Sequence, residues 1–217
     1  MTSIAEQIKS HAISLGFSDC KITPALNIKK SDQYYRKWIN ENNHGDMEYL
    51  MKHATLKVNP KKILPSAKSI ILLTLNYYQA RVNEGKPHGQ IARYAYGRDY
   101  HKIFKKKLTK LDTYLKSISP NAHTRFFADS GPLLEREYAT QAGLGYIGKN
   151  TMLITPKHGT WVLIGEIITD LNLEYDKFNP NEHGICGTCT RCLTICPTGA
   201  LKNEYEIDAK LCISYLT

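Results

Sequence analysis

Four cysteines crowd into eleven residues near the end of the chain, Cys186, Cys189, Cys192 and Cys196, and Pro197 follows the last of them. No other feature restricts the fold so tightly, because the spacing C-x2-C-x2-C-x3-C-P is a ligation run of bacterial iron–sulfur proteins. Three thiolates at intervals of three wrap a loop and a helical turn around one corner of a cubane, and the fourth points beyond it. Pro197 stops the turn, and Gly187 lets backbone amides approach the inorganic sulfides. Structural zinc favours two separated C-x2-C pairs, and disulfide frameworks belong to small secreted chains. Neither suits four clustered cysteines in a chain of 217 residues. Cys212 is a fifth possible ligand, whereas Cys20 reads as a small buried residue. One cubane takes four thiolates and a pair takes eight, so five suits neither. With the apolar end at Tyr215-Leu216-Thr217, the count reads as a fragment.

At 42% hydrophobic content the chain can bury one full core and carry a small appendage. The division expected is an α/β domain over residues 1–175, followed by a ferredoxin-like iron–sulfur segment over residues 176–217, incomplete here. The chain opens on a polar amphipathic pattern without a signal peptide, and its longest apolar run, Ile70 to Leu73, cannot cross a bilayer. A cytoplasmic protein with no membrane partner is expected. The net charge of +9 suits a polyanionic partner, although surplus lysine also serves solubility.

Ile4, Ile8 and Leu15 mark a first helical stripe, and Ser31-Asp32 is a possible cap for a second helix through Trp38 and Ile39. Lys68 to Tyr77 is a near-continuous apolar run with β-branched residues, as expected of a central strand covered on both faces. Ile91 to Tyr96 reads as a further strand. Phe104, Leu108, Leu111, Leu115 and Ile118 recur at helical spacing, with Lys102, Lys105, Lys106 and Lys110 on a solvated face. His101 is an ordinary residue at the start of that helix. A strand over His123 to Ala128 leads to Asp129-Ser130-Gly131-Pro132 and a helix from Leu133 to Ala142, closed by Gly143. Asp129 at a strand's carboxyl end is either a site residue or a capping aspartate. Gly143 to Asn150 contains G-x-G-x-x-G, but a helix precedes it where a dinucleotide fold needs a strand. It is instead a glycine-rich loop that brings backbone close to something large. Thr151 to Thr155 and Thr160 to Thr169 read as a hairpin around His158-Gly159.

Taken together, residues 129–136 (DSGPLLER), 143–150 (GLGYIGKN), 165–170 (GEIITD), 186–200 (CGTCTRCLTICPTGA) and 212–217 (CISYLT) resemble epoxyqueuosine reductases over essentially the whole chain. The resemblance implies a cobalamin-dependent enzyme that removes the epoxide oxygen of epoxyqueuosine at the wobble position of tRNA. It implies a corrin held in an α/β domain akin to that of reductive dehalogenases, two [4Fe-4S] clusters, and an electron donor that the chain does not identify. Asp129 would be the proton donor. Lys57, Ala92, Arg93, Asp129, Lys149, Asn150, Leu153 and Ile164 would line the cobalamin. Cys186, Cys189 and Cys192 would bind the first cluster, and Cys196 with Cys212 the second. The family's remaining three ligands and its tRNA-binding helical repeats lie beyond these residues. Lys57 departs from the family, which usually has arginine there, and the exchange loses one donor geometry.

The chemistry agrees with the class. Epoxide deoxygenation needs an electron-rich attacking centre and a proton for the departing oxygen, and burial beside an apolar corrin would keep the Asp129 carboxyl protonated. The cobalamin signature D-x-H-x-x-G is not met at Asp99 to Phe104, so no histidine ligand to cobalt is expected. A plain electron-transfer module and a nucleic-acid-binding protein with a structural cluster are the alternatives, and only the reductase demands bound corrinoid. Because small ligand-dependent units fold at the expense of their metal, the segment from about Asn179 to Thr217 is expected to be poorly anchored. Ligand counting gives the first prediction. Iron and sulfide assays after anaerobic reconstitution should find about four irons per chain or fewer, and about eight would refute the count.

Overall fold

The computed structural model describes residues 2–80, 91–129, 131–179 and 184–216. Ser130 and Thr217, which belong to two of the motifs above, lie outside the described residues. In chain order the elements are α1 (Ile4–Ser14), β1 (Asp19–Pro24), α2 (Lys29–Asn40), α3 (Glu48–Lys52), α4 (Ala54–Val58), β2 (Ser69–Asn76), α5 (Tyr100–Ile118), β3 (Thr124–Ala128), α6 (Glu135–Gln141), β4 (Tyr146–Ile147), β5 (Leu153–Ile154), β6 (Val162–Thr169), α7 (Arg191–Ile195) and α8 (Ile213–Leu216).

The apolar run Ser69 to Asn76 becomes β2, an inner strand of a four-stranded sheet ordered β1-β2-β6-β3. Every pairing in that sheet is antiparallel, with Ile70 opposite Ile168 and Leu72 opposite Glu166. The alternation of the pleat sends its side chains into two cores. Ile71, Leu73 and Ile167 meet Ile8 and Ala12 of α1 and Phe104, Leu108, Leu111 and Leu115 of α5. Ile70, Leu72, Ile164 and Ile168 meet Val58, Leu133, Leu144, Leu153 and Tyr138 with Ala139 of α6. Cys20 is 3% exposed in the first core, as the sequence suggested, and burial pushes its thiol far above the ordinary range.

Four local expectations are corrected. Ser31-Asp32 does not cap α2, which begins at Lys29 behind Ile28 and has no side-chain cap bond. Ile91 to Tyr96 is no strand: Arg93–Ala95 is a single 3-10 turn. α6 starts two residues later than Leu133, after Leu134 donates its N–H to the Lys57 carbonyl at 2.9 Å, and Gly143 closes it at a φ of 80°. The hairpin around His158-Gly159 exists only as a tight loop closed by Thr155 and Gly159. Its two arms part, because β5 pairs with β4 whereas β6 joins the main sheet.

The glycine-rich loop approaches the chain's own backbone. A Cβ on Gly145 would collide with the backbone of Ile154 in β5, and one on Gly148 with the Ile154 side chain. Gly165 serves a similar purpose in β6. A Cβ there would lie 2.5 Å from Cε1 and 2.8 Å from Cδ1 of Phe104, whose ring is fully buried and has nowhere to move. Gly165→Ala should therefore destabilise the fold by about 1–3 kcal/mol, the range for overpacked cores. The denaturation midpoint should fall, and Phe104→Leu in the same chain should recover part of the loss.

The C-terminal segment is anchored, against the sequence expectation. The Trp38 indole donates to the Ile207 carbonyl at 2.6 Å, and the Tyr34 hydroxyl to the Tyr205 carbonyl at 2.8 Å. Ala209 donates its N–H to the Asn43 carbonyl at 2.8 Å, and the Tyr215 hydroxyl lies 3.0 Å from the Asp46 carboxylate. Tyr34 and Trp38 of α2 thus donate to the segment's backbone, and Asn43 and Asp46 after α2 accept from it.

Candidate functional site

The strand β3 ends at Ala128, opposite Gly165, and the chain turns away at Asp129. Asp129 sits at a φ of 63°, the left-handed region that an aspartate tolerates at some strain. Its side chain is 53% exposed. The first turn of α5 presents two groups to it: the Tyr100 hydroxyl donates to Oδ2, and His101 Nε2 lies 3.5 Å from the same atom. Asp99 caps that turn by accepting the His101 N–H at 2.9 Å, and it also holds His101 Nδ1 at 2.9 Å. His101 therefore starts the helix as expected and in addition faces Asp129. Burial, together with the bond to Asp129, raises the Tyr100 hydroxyl well above its ordinary range, so it remains a donor.

An aromatic shelf adjoins this carboxyl. The Arg93 guanidinium lies 4.7 Å from the ring centre of Tyr78 and 4.9 Å from that of Trp161, and Tyr94 meets Tyr100 edge-on at 6.3 Å. Tyr78, Ile91, Tyr94, Met152 and Trp161 are all exposed. Arg93 Nε is buried without a hydrogen-bond acceptor among the described residues. The surface depressions lined by Ser10 and Tyr114 and by Asn121 and Leu171 lie elsewhere.

Behind the edge lies a group of charges that sequence reasoning did not assign. Glu166 of β6 is fully buried, and neither of its oxygens has a hydrogen-bond partner among the described residues. Burial drives its carboxyl well above the ordinary range, repulsion from Glu135 and Asp129 adds to this, and Lys57 opposes it. Burial likewise pushes Glu135, at the start of α6, up to about 7, with Asp129 raising it further and Arg136 and Lys57 acting against the shift. Desolvation lowers the Lys57 ammonium, with Glu135 and Glu166 pulling the other way. The one available signal was a lone glutamate in the otherwise apolar run VLIGEIIT.

The expected cofactor residues divide into groups. Lys57 and Asp129 belong to this charge group, and Arg93, next to the exposed Ala92, belongs to the shelf. Leu153 is 2% and Ile164 8% exposed, both within the core beneath. Lys149 is buried and spends its ammonium on Glu204, 2.7 Å away. Asn150 turns its side-chain oxygen back to accept the Met152 N–H at 3.1 Å.

Cys186, Cys189 and Cys196 lie in loops, Cys192 in the short helix α7, Cys212 just before α8 and Cys20 in β1, and all six are free. Among the described residues no three metal-ligating side chains converge on one point. The surrounding backbone nevertheless suits thiolates. The Lys149 N–H approaches Cys186 Sγ at 3.4 Å, and backbone donors of Leu201, Thr198 and Ala200 draw the Cys196 thiol down to about 7. Gly187 holds a φ of 52°, and the position of its missing Cβ is open. Such N–H···S donors are the outer shell that iron–sulfur ligands require.

Comparison with known proteins gives this arrangement a lineage. The family model described as epoxyqueuosine reductase QueG, DUF1730, matches residues 57–130, and that of the 4Fe-4S double cluster binding domain matches residues 185–217. The segment is accordingly of the iron–sulfur-binding type. The epoxyqueuosine reductase of Cyclobacterium marinum is 41% identical over 97% of this chain, which spans 67% of that relative. A solved epoxyqueuosine reductase bound to an epoxyqueuosine-modified tRNA-Tyr stem loop superposes with a TM-score of 0.85 at 31% identity, over 97% of this chain and 56% of that one. A reductive dehalogenase structure shares the fold alone, with a TM-score of 0.52 at 15% identity over 93% of this chain and 23% of its own. No described helix is long and apolar enough to cross a membrane. From the ordered motifs, the sheet that carries them and these matches, the chain belongs to the epoxyqueuosine reductase family.

Proposed function

We propose that this chain is the cobalamin-binding and cluster-bearing part of an enzyme that reduces epoxyqueuosine to queuosine in tRNA, with Asp129 as proton donor. The observation that carries the reading is the placement of Asp129. It is half-exposed at the end of β3, held by Tyr100, and bordered by an open shelf of apolar and aromatic groups. A flat, amide-rimmed macrocycle fits that surface: the exposed faces of Tyr78, Tyr94 and Trp161 offer apolar area, and the unpartnered Arg93 Nε offers a donor to an amide carbonyl. Cobalamin, when bound, supplies the electron-rich centre for the attack on the epoxide, with electrons from the iron–sulfur segment.

Lys57, Ala92, Arg93 and Asp129 would hold the cofactor by their side chains. Lys149, Asn150, Leu153 and Ile164 would contribute through backbone and packing, given how their side chains are already engaged. Covering the shelf would remove water from Asp129, which favours its neutral form and readies it to protonate the departing oxygen. Cys186, Cys189, Cys192, Cys196 and Cys212 would serve two [4Fe-4S] clusters completed by residues beyond this chain. The substrate would be tRNA carrying epoxyqueuosine, in keeping with the net charge of +9. A separate electron donor, acting in the cytoplasm, would reduce the clusters.

Two outcomes check this reading. Titration of the chain with cob(II)alamin should change the cofactor's visible spectrum and stabilise the protein even with every cysteine metal-free, because the shelf lies upstream of Cys186. Neither change should occur if the assignment is wrong. In the intact enzyme, Asp129→Asn should keep cobalamin binding yet cut turnover by about 10²- to 10⁴-fold, the usual contribution of a general acid. Full turnover would strip Asp129 of the proton-donor role.

A further inference from the structure

Helix α5 needs an oxygen at its cap, which Asp99 supplies, but nothing in a helix start requires an imidazole two residues later. His101 is nonetheless fixed on three sides. Its Nδ1 lies 2.9 Å from Asp99 Oδ1, and its Nε2 lies 3.5 Å from Asp129 Oδ2. Its ring stacks on that of Tyr100, with centroids 4.0 Å apart and planes 27° from parallel, and the Tyr100 hydroxyl donates to the same Asp129 oxygen. The bonds from His101 hold the Asp99 carboxyl below its ordinary range, so that carboxylate only accepts. Nδ1 therefore carries the ring proton of the neutral imidazole, and Nε2, facing Asp129, is the nitrogen that gains and loses one. The other charges about the pair are Lys102 of α5, which acts on Asp99, and Glu135 of α6, which acts on Tyr100 and feels Asp129. The His101 side chain is 50% exposed, so the ring meets solvent as well as Asp129.

The reaction proposed above needs more protons than Asp129 holds. Converting an epoxide to an alkene breaks two C–O bonds and releases water, so each turnover consumes two electrons and two protons. The clusters would supply the electrons. Asp129 gives up one proton and becomes a carboxylate that must be reloaded before it can act again.

We infer that His101 is a proton relay, oriented by Asp99, that reloads the Asp129 carboxylate from solvent. The inference rests on the proposed deoxygenation. The Nε2–H bond of the imidazolium breaks as an O–H bond forms on Asp129 Oδ2, which leaves the imidazole in its Nδ1–H form. A proton from solvent then restores Nε2–H, and no oxidation state changes. The separation of 3.5 Å is slightly longer than a transfer distance, as catalytic hydrogen bonds commonly are before substrate closes a site. Covering the shelf would exclude water from Asp129, whereas His101, outside the residues of the shelf, would keep a path to solvent.

The test uses His101→Gln, which keeps an amide of similar size but carries no exchangeable charge. Cobalamin binding and the melting temperature should be unchanged, while steady-state turnover of the intact enzyme falls about tenfold or more. The deficit should be largest at high pH and shrink as the pH falls, because solvent then protonates Asp129 directly. Added imidazole should restore part of the rate. A merely structural defect would be alike at every pH and indifferent to imidazole. Nitrogen-15 spectra of the cofactor-free chain at about pH 8, where an ordinary imidazole is neutral, should show the His101 ring as its Nδ1–H tautomer. Asp99→Asn, still a competent cap, should weaken that preference. Full turnover in His101→Gln, a deficit that neither pH nor imidazole alters, or an Nε2–H tautomer in the wild type would overturn the relay. The tautomer is read without cofactor or RNA, so an Nδ1–H ring in a chain that failed to bind cobalamin would separate this inference from the function proposed above.

Discussion

The antiparallel pairing of β2 with β6 is the constraint on which the rest of this structure depends. It joins eight residues of each strand, from Ser69 opposite Thr169 to Asn76 opposite Val162, and both strands are buried on both faces. The register decides which side chains enter which core. A slip of one residue would exchange the two faces, sending Glu166 towards Phe104 and Leu108 and bringing Ile167 into the charge group. The same register sets the length of β3, which pairs with β6 only as far as Ala128 and Gly165. Asp129 leaves the sheet at that point, so the position of the proposed acid follows from a strand pairing made around it.

What the sequence disclosed was what is encoded locally. The ligation run from Cys186 to Pro197 is legible because thiolate spacing follows from the geometry of a short loop, and β2 is legible because only a strand covered on both faces tolerates SIILLTLN. Elements whose identity depends on distant partners were misread. The turn at His158-Gly159 was visible, but β5 prefers β4 and β6 prefers β2, which no local pattern reveals. Ile91 to Tyr96 was read as a strand, yet Arg93 lies in a 3-10 turn where its guanidinium lies over Tyr78 and Trp161. The charge group of Lys57, Glu135 and Glu166 was hidden for the same reason, since burial is a property of the register and the packed helices. The C-terminal segment was expected to depend on metal because a small ligand-dependent unit folds at the expense of its metal. Its anchors belong to Tyr34, Trp38 and Asn43, about 170 residues earlier in the chain.

Lys149 links the two halves of the proposed machinery. Its N–H approaches Cys186, its carbonyl accepts from Tyr205 at 2.9 Å, and its ammonium holds Glu204, while the residues just before and after it build β4 and β5 over the core that carries the site. The Glu204 carboxylate raises that ammonium, which keeps it charged. The glycine-rich loop that resembles a nucleotide motif is thus a joint: Gly145 and Gly148 seat it on β5, and Lys149 seats the cysteine segment on it. Electron carriers held by that segment would be fixed against the catalytic sheet by packing and hydrogen bonds already present in the protein.

On the function proposed above, the corrin would lie on the shelf bounded by Asp129, Arg93, Tyr78 and Trp161. A crystal structure of this chain grown with cob(II)alamin tests it most directly. The predicted result is density for the corrin against that shelf, with Asp129 the nearest carboxyl to its face and Arg93 Nε paired to one of its amides. Density for the corrin elsewhere on the chain, with the shelf still open to solvent, would contradict it.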